Sequence, residues 1–213
     1  MPLGPAVVFG ASNFPLAFSV AGGDTASAFA AGNPVVVKAH PAHPGTSCLV
    51  GTALSNAVRS EGLPPGMFSM LHGNSPAVGE ALVKHPAAQA VGFTGSLSAG
   101  RHLFDIASSR PSPIPVYAEM GSINPIVVMP SALSQQCEEI AAGLAGSVNM
   151  GAGQFCTSPG VVFLIESEED STLTSRFTQE FSRAMQQARK YHFVLFIWWC
   201  SGDAPPRCFG CSR

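Results

Sequence analysis

The chain has 213 residues, of which 46% are hydrophobic and 11% are charged, and its formal net charge is −2. This composition excludes a disordered chain, and the near-neutral charge offers no basic surface for a nucleic acid or an anionic membrane. Six cysteines in a chain of this length do not form a disulfide scaffold. No charged segment precedes an apolar run at the N-terminus, and no apolar run reaches the ~20 residues that cross a bilayer. We therefore expect a protein of the cytoplasm that binds neither nucleic acid nor membrane.

Short runs of β-branched residues alternate along the chain with alanine-rich stretches of helical spacing. The predicted strands are Ala6–Phe9, Pro34–Val37, Phe68–Leu71, Ala90–Phe93, Pro115–Ala118, Pro125–Met129 and Gly160–Glu166. The predicted helices are Leu16–Ala31, Thr46–Ser60, Pro76–Lys84, Ala99–Ser108 and Glu138–Val148. This alternation is typical of βαβ units with right-handed connections. The sequence therefore predicts an α/β fold with a parallel, doubly wound sheet.

A glycine-rich segment, GAGQFCT at residues 151–157, lies between a predicted helix and a predicted strand. A thiol in such a turn is placed where backbone N–H groups can face a developing oxyanion. Taken alone, a single cysteine is more often a small buried apolar residue. Cys156 is therefore a candidate nucleophile, and the alternative is that it is a small buried residue of the core.

Two other polar residues directly follow predicted strands. Glu119 stands at the end of a strand in the segment YAEMG, and Asn13 follows the first strand in the segment ASNFP. In parallel α/β sheets, ligands gather at the carboxyl ends of the strands. Each residue also has an ordinary interpretation, Glu119 as a cap or solvated charge and Asn13 as a turn residue.

Five segments in chain order, GASNFPLAF, VVVKAHP, VGFTGS, YAEMGS and GAGQFCT, resemble motifs of the aldehyde dehydrogenase superfamily. The resemblance runs from about Gly4 to Ser167 and is strongest to 2,5-dioxovalerate (α-ketoglutaric semialdehyde) and NADP-dependent fatty aldehyde dehydrogenases. It implies oxidation of an aldehyde to a carboxylate through a cysteine thioester. It also implies that Cys156 is the nucleophile, that Asn13 holds the oxyanion, and that Glu119 is the base that activates water.

The same resemblance implies a dinucleotide site without the G-x-G-x-x-G fingerprint. The implied cofactor-binding residues are Ser12, Lys38, Gly79, Gly95, Ser96 and Met120. NAD preference usually needs a carboxylate that grips the ribose 2′-OH, and the residues after Lys38, AHPAHP, contain none. NADP is therefore favoured, with NAD as the alternative, and Lys38 or a protonated histidine is available to a 2′-phosphate. His40 and His43 are interpreted as turn residues rather than specific phosphate ligands.

No metal site is expected. Cys208 and Cys211 spell C-x-x-C, but one such pair falls short of the four ligands that a structural zinc ion requires.

We expect three parts in the chain. Residues 1–120 are predicted as an N-terminally truncated dinucleotide-binding domain, 121–190 as the start of an α/β catalytic domain, and 191–213 as an atypical tail. The tail opens with an apolar run that lacks a period of 2 or 3.6, and we expect it to have no defined structure. The family is homo-oligomeric, but its oligomerisation segment is predicted to be absent here.

Three functions stay open at this point. The first is a hydrolytic NAD(P)-dependent aldehyde dehydrogenase, for which the Cys156 sulfur should lie within roughly 10 Å of the Asn13 and Glu119 side chains. The second is a relative that transfers the acyl group to coenzyme A, and Glu119 argues against it because such enzymes generally lack that base. The third is a truncated, non-catalytic chain that folds incompletely or only with partner subunits.

Overall fold

A computed structural model describes the backbone of residues 1–165, 170 and 172–201, and the side chains of that range as far as residue 188. The chain divides after Gly121 into two compact units. Each unit is described below by itself.

The first unit is built on a five-stranded sheet in which every strand pair is parallel. The strand order is β3-β2-β1-β4-β5. The strands are β1 (Ala6–Phe9), β2 (Val35–Lys38), β3 (Phe68–Leu71), β4 (Ala90–Thr94) and β5 (Val116–Glu119). The predicted parallel α/β fold is confirmed, and each of these strands lies within one residue of its predicted position.

Four helices connect and cover the strands. They are α1 (Gly23–Ala30), α2 (Pro44–Ser60), α3 (Pro76–Lys84) and α4 (Leu97–Ser108). Helices α2 and α3 both begin with a proline, whose fixed φ suits the first helical position. A short 3₁₀ turn, Pro65–Met67, precedes β3.

Apolar side chains are buried on both faces of this sheet. One core lies between the sheet and α3 and α4, and it includes Val7, Phe9, Val91, Phe93 and Leu103. The other core lies under α1 and α2, and it includes Val8, Val20, Val35, Val37 and Phe68. Successive residues of a strand face opposite sides, so nearly continuous apolar strands of this kind suit a sheet that is covered twice.

Helix α1 starts later than the sequence predicts. The prediction placed a helix at Leu16–Ala31, whereas residues 15–22 form turns and bends and the helix begins at Gly23. The Ala11 N–H donates to the Phe18 carbonyl at 2.7 Å, and the Gly23 N–H donates to the Ala17 carbonyl at 3.1 Å. These bonds close a compact loop that competes with the helix for the same backbone groups.

Asp24, in the first turn of α1, places its carboxyl group against the sheet. A Cβ added to Gly92 would lie 3.1 Å from Asp24 Oδ2, so the carboxyl covers the strand where no side chain projects. The carboxyl also lines a cavity of about 290 Å³ with Val8, Gly92 and Tyr117 among its walls. Burial raises the pKa of Asp24 above its ordinary value, because the charged form loses solvation.

We expect Asp24→Asn to raise the free energy of unfolding at about pH 7, with a gain that shrinks as the pH falls toward the carboxyl's ordinary range. Because the pKa of Asp24 is raised in the folded state, the protonated carboxyl favours folding at low pH. This contribution to the free energy of unfolding is lost as the pH rises through the folded-state pKa and the carboxyl ionises. The neutral amide does not lose it. Urea unfolding at neutral and mildly acidic pH measures the effect, with the exposed Asp105→Asn variant as control. A variant that is less stable at neutral pH would contradict the expectation.

The second unit contains a pair of parallel strands and two helices. They are β6 (Pro125–Val128), α5 (Pro130–Asn149), β7 (Val161–Leu164) and α6 (Leu173–Ser201). Helix α5 begins at Pro130, eight residues before the predicted start at Glu138, and it is kinked at Gln136, where the backbone is not helical. Its core includes Val128, Leu133, Leu144, Leu173 and Phe177.

Helix α6 was not predicted, and it continues past the predicted boundary at Lys190 to Ser201. The expectation that the segment after Lys190 lacks defined structure is therefore wrong for the backbone as far as Ser201. No glycine or proline stands between Leu173 and Ser201, so nothing in that stretch forces the helix to end. The rest of the predicted tail, with Cys208 and Cys211, lies outside the described residues.

Candidate active site

A cleft with a volume of about 590 Å³ lies in the first unit at the carboxyl ends of β1, β2 and β4. Phe9, Lys38 and Thr94, the last residues of these strands, all line it. Between β1 and β4 the strand order reverses its direction. The cleft therefore opens at the topological switch point, where open α/β sheets bind their ligands.

Two helix N-termini face this cleft. Ser75 and Pro76 at the start of α3 line it, as do Ser96, Ser98 and Ala99 at the start of α4. Ser96 caps α4, because its Oγ accepts a hydrogen bond from the Ala99 N–H at 3.3 Å. Helix N-termini carry unpaired N–H groups and a partial positive charge, so the cleft suits an anionic group such as a phosphate.

At two points of the cleft, a glycine lets the backbone pack directly against an aromatic ring. A Cβ on Gly79 would lie 2.9 Å from the Phe9 ring, and one on Gly95 would lie 2.7 Å from the Phe93 ring. The Gly95 N–H also donates to the Glu119 carbonyl at 3.0 Å. This bond ties the turn after β4 to the end of β5.

The charges in the cleft favour an anion. None of the described residues that line it is acidic. Burial lowers the pKa of Lys38 from its ordinary value. Burial also lowers the pKa of His40, and the neighbouring His43 and Lys38 lower it further. His40 is therefore neutral near neutral pH, and Lys38 is the better placed cation for a phosphate.

His40 and His43 both fasten the turn after β2. His40 Nδ1 accepts a hydrogen bond from the Ala42 N–H at 3.1 Å. His43 Nε2 donates to the Ala11 carbonyl at 2.7 Å, and its Nδ1 lies 3.2 Å from Ser47 Oγ. These contacts support the interpretation of both histidines as turn residues.

Glu119 and Asn13 both follow strands of the first sheet. Glu119 is the last residue of the edge strand β5, pairs in register with Thr94, and has an exposed side chain. It projects to the same face of the sheet as Tyr117, two residues earlier. Asn13 lies in the loop that follows β1 and is partly buried.

Cys156 lies in the second unit, in the loop between α5 and β7, and its side chain is partly buried. Gly151, Ala152 and Gly153 have φ values of 59°, 58° and 73°, in the left-handed region. Such a conformation is unusual for an alanine, and the loop therefore has a strained backbone just before the cysteine. The turn that follows is closed by the Ser158 N–H, which donates to the Phe155 carbonyl at 3.0 Å.

Ser122 and Asn124 contact the backbone of this loop. Ser122 Oγ donates to the Cys156 carbonyl at 2.6 Å. Asn124 Nδ2 donates to the same carbonyl at 2.6 Å and to the Ser158 carbonyl at 3.1 Å. The cysteine is thus held from a segment more than 30 residues earlier in the chain.

The sequence matches the model of the aldehyde dehydrogenase family over residues 1–191. The chain belongs to this family. It is 62% identical over 167 residues to alpha-ketoglutaric semialdehyde dehydrogenase 2 of Azospirillum brasilense, an alignment that covers 78% of this chain and 32% of that protein. The predicted resemblance is confirmed.

Solved structures share the fold of this chain. An NAD-dependent benzaldehyde dehydrogenase from Corynebacterium glutamicum gives a TM-score of 0.71 at 27% identity, covering 87% of this chain and 38% of that one. An NADP-dependent enzyme from E. coli gives a TM-score of 0.73 at 27% identity, covering 87% of this chain and 35% of that one. This aldehyde dehydrogenase chain spans about a third of the length of the curated relatives it matches.

Most of the predicted cofactor residues of this aldehyde dehydrogenase chain lie together. The cleft is lined by Ser12, Lys38, Gly79, Gly95 and Ser96. Met120 is not among the described lining residues and packs instead against the core of the first unit, beside Gly100. The geometry places five of the six in one anion-compatible cleft, and their roles stay predictions.

Other polar residues of the aldehyde dehydrogenase site were not singled out from the sequence. Asn74, Ser75, Ser98 and His102 line the cleft, and Ser122 and Asn124 contact the cysteine loop. For Asn74 and Ser75 a signal was available, because a serine before a proline at the start of a helical pattern marks a helix N-terminus.

Among the residues that the structure describes, no helix of this aldehyde dehydrogenase chain is long and apolar enough to cross a membrane. The same part of the chain contains no group of three or more His, Cys, Asp or Glu that could hold a metal ion.

Proposed function

We propose that this chain is part of an NADP-dependent aldehyde dehydrogenase that oxidises α-ketoglutaric semialdehyde (2,5-dioxovalerate) to a carboxylate. The observation that carries the proposal is the gathering of five predicted cofactor residues in one cleft at the switch point of the sheet. The substrate is inferred from the 62% identity to a protein named for that semialdehyde. Under this proposal residues 1–120 are the dinucleotide-binding domain and 121–190 are the start of the catalytic domain.

The residues of the cleft fit a dinucleotide phosphate. The N-termini of α3 and α4 supply unpaired N–H groups for a pyrophosphate, and Gly79 and Gly95 line the same cleft. Lys38 supplies a positive charge, and none of the described lining residues carries a negative charge that would repel a 2′-phosphate. NADP is therefore the proposed cofactor. NAD is the second candidate, because one structural neighbour is named as NAD-dependent.

In the proposed reaction the Cys156 thiolate attacks the aldehyde carbon and forms a thiohemiacetal. The Asn13 side-chain amide, together with the Cys156 N–H, donates hydrogen bonds to the oxygen as it becomes negative. A dinucleotide bound in the cleft would supply the hydride acceptor, so that loss of hydride from the thiohemiacetal carbon would leave a thioester on Cys156. Glu119 then takes a proton from the water that attacks the thioester, and the carboxylic acid leaves as the thiolate returns.

Several finer points stay predictions. They are the approach of Asn13, Glu119 and Cys156 to a common substrate, a homo-oligomeric assembly, and a location in the cytoplasm.

We expect Lys38→Met to weaken NADP binding by about tenfold, which corresponds to about 1.4 kcal/mol, and to weaken NAD binding less. The methionine keeps an extended apolar side chain but removes the charge that meets a 2′-phosphate. Because burial lowers the pKa of Lys38, NADP affinity of the unsubstituted chain should fall with rising pH earlier than an ordinary lysine would cause. Isothermal titration with both dinucleotides measures these effects.

The control for this titration is Arg59→Met, which removes an exposed positive charge from the end of α2, outside the cleft. Arg59→Met should leave both affinities unchanged. An equal loss for NAD and NADP in the Lys38 variant would show that Lys38 does not meet the 2′-phosphate. Absence of dinucleotide binding by the unsubstituted chain would contradict the proposed use of the cleft.

A further inference from the structure

We propose that Asn124 is a positioning residue for the nucleophile, and that it fixes the loop around Cys156 through its side-chain amide. The proposal rests on the proposed role of Cys156. It adds a residue outside the cleft, from a segment for which the sequence suggested no function.

Within the part of the chain that the structure describes, the side-chain amide of Asn124 donates hydrogen bonds to the cysteine loop and to Ser122. Asn124 Nδ2 donates to the carbonyls of Cys156 and Ser158 at 2.6 and 3.1 Å, and it lies 3.2 Å from Ser122 Oγ. A side-chain amide has one donating and one accepting end, so only its nitrogen can face two carbonyl oxygens. The orientation of the amide is therefore determined by its partners.

The Cys156 carbonyl accepts a second hydrogen bond from Ser122 Oγ, also at 2.6 Å. Two donors on one carbonyl oxygen fix the plane of the peptide between Cys156 and Thr157. Holding that plane restrains ψ of Cys156, and with it the part of the backbone from which the thiol projects.

Such a restraint matters in this loop because its own regular structure is limited to a distorted 3₁₀ turn, Met150–Gly153, that ends before the cysteine. Its three left-handed residues, Gly151, Ala152 and Gly153, lie directly before the segment that carries the cysteine. At its far end, the Gly160 N–H donates to the Ile123 carbonyl at 2.7 Å. Asn124 acts between these two points, at the peptide that follows the nucleophile.

The backbone at position 124 explains why asparagine suits it. Asn124 has φ of 50°, a left-handed conformation that asparagine, aspartate and glycine adopt more readily than other residues. Aspartate would turn a negative oxygen toward two carbonyl oxygens, and glycine has no donor. Asparagine combines the permitted backbone with the two N–H groups that the loop accepts.

The test is the rate at which iodoacetamide alkylates each cysteine of the intact chain, followed by peptide-resolved mass spectrometry. Asn124→Gly keeps the left-handed backbone and removes the donor. We expect it to raise the alkylation rate of the partly buried Cys156 by about tenfold, as the loss of two hydrogen bonds that hold a loop closed would do. Ser122→Ala removes one donor from the same carbonyl and should give a smaller rise.

Two cysteines serve as internal controls. Cys137 is buried in the core of the same unit, and Cys48 is exposed in the other unit. If Asn124 only stabilises the fold, Cys137 will become reactive in parallel with Cys156, and the proposal is overturned. It is also overturned if the Asn124 and Ser122 variants both leave the Cys156 rate unchanged. Should the Asn124 variant fail to fold, the Ser122 variant alone decides between these outcomes.

A second measurement connects the loop to the reaction. In a full-length enzyme that carries this segment, Asn124→Gly should lower kcat while KM for the aldehyde changes little, because the thiol is misplaced but the substrate site is intact. An unchanged kcat would overturn the positioning role. Failure of the proposed function gives a different result, because turnover would then survive the loss of Cys156 itself while the alkylation pattern stays as described.

Discussion

Replacing Cys156 by alanine is expected to abolish aldehyde oxidation, by at least about 10⁴-fold in kcat, because the thiohemiacetal that precedes oxidation can no longer form. Since the chain spans about a third of the length of its relatives, the assay uses a chimera in which this segment replaces the matching one of a full-length relative. The rate of NADPH formation with α-ketoglutaric semialdehyde is the measured quantity. Binding of NADP should be unchanged in the variant, because Cys156 does not line the cleft of the first unit.

The matched control is Cys137→Ala, which removes the other described thiol of the second unit. Cys137 is buried beside Leu133 and Leu144 in the core, so this variant should lose stability but keep its turnover. Unimpaired turnover after loss of Cys156 would mean that another group is the nucleophile, and the assignment of the mechanism would then be wrong.

The sheet was predictable because its signals are local. Four strands of the first unit are short runs that contain β-branched residues, and β3 (FSML) is a short, largely apolar run without one. All five end at or next to a glycine or a polar residue, and such a pattern needs no knowledge of distant contacts. The start of α1 was not predictable in this way. Alanines and leucines before Gly22 fit a helix, but the backbone bond from Ala11 to Phe18 closes a loop there instead.

Helix α6 carried a signal that was missed. Leu173, Phe177 and Phe181 recur every four residues, and the first two are buried in the core that α5 and α6 share. This spacing indicates an amphipathic helix. The apolar run after Lys190 has no helical period, which is why the sequence predicts no helix there. The helix nevertheless continues as far as Ser201, because no glycine or proline interrupts it.

The residues of the candidate site also differ in whether local sequence signals could predict them. Lys38, Gly95 and Glu119 stand at or next to the ends of parallel strands, so topology alone brings them to one edge of the sheet. Asn124 differs because its partners are 32 and 34 residues away in the chain. An asparagine before a proline, as at Asn124-Pro125, indicates a turn, but it does not show that the amide faces a distant loop. Met120 is not among the described residues that line the cleft and is partly buried against the core of the first unit, so its assignment to the cofactor stays a prediction.

Replacing Glu119 by glutamine should separate the two halves of the reaction in the same chimera. Cys156 still attacks the aldehyde and the oxidation still proceeds, so a burst of NADPH stoichiometric with enzyme should survive. Steady turnover should fall by about 10²- to 10⁴-fold, the range that general-base catalysis contributes, because no carboxylate remains to activate water. Rapid mixing, with the burst amplitude and the steady rate read from the same trace, measures both effects.

The glutamine substitution is a conservative choice because only the side chain changes. The Glu119 carbonyl that accepts from the Gly95 N–H belongs to the backbone and remains, so the end of β5 and the turn after β4 should keep their bond. Glu61→Gln, at the exposed end of α2, is the matched control and should leave both the burst and the steady rate unchanged. Loss of the burst in the Glu119 variant would mean that this carboxylate activates the thiol rather than the water. A normal steady rate would mean that another base hydrolyses the thioester, so the two phases of the trace report on successive chemical steps.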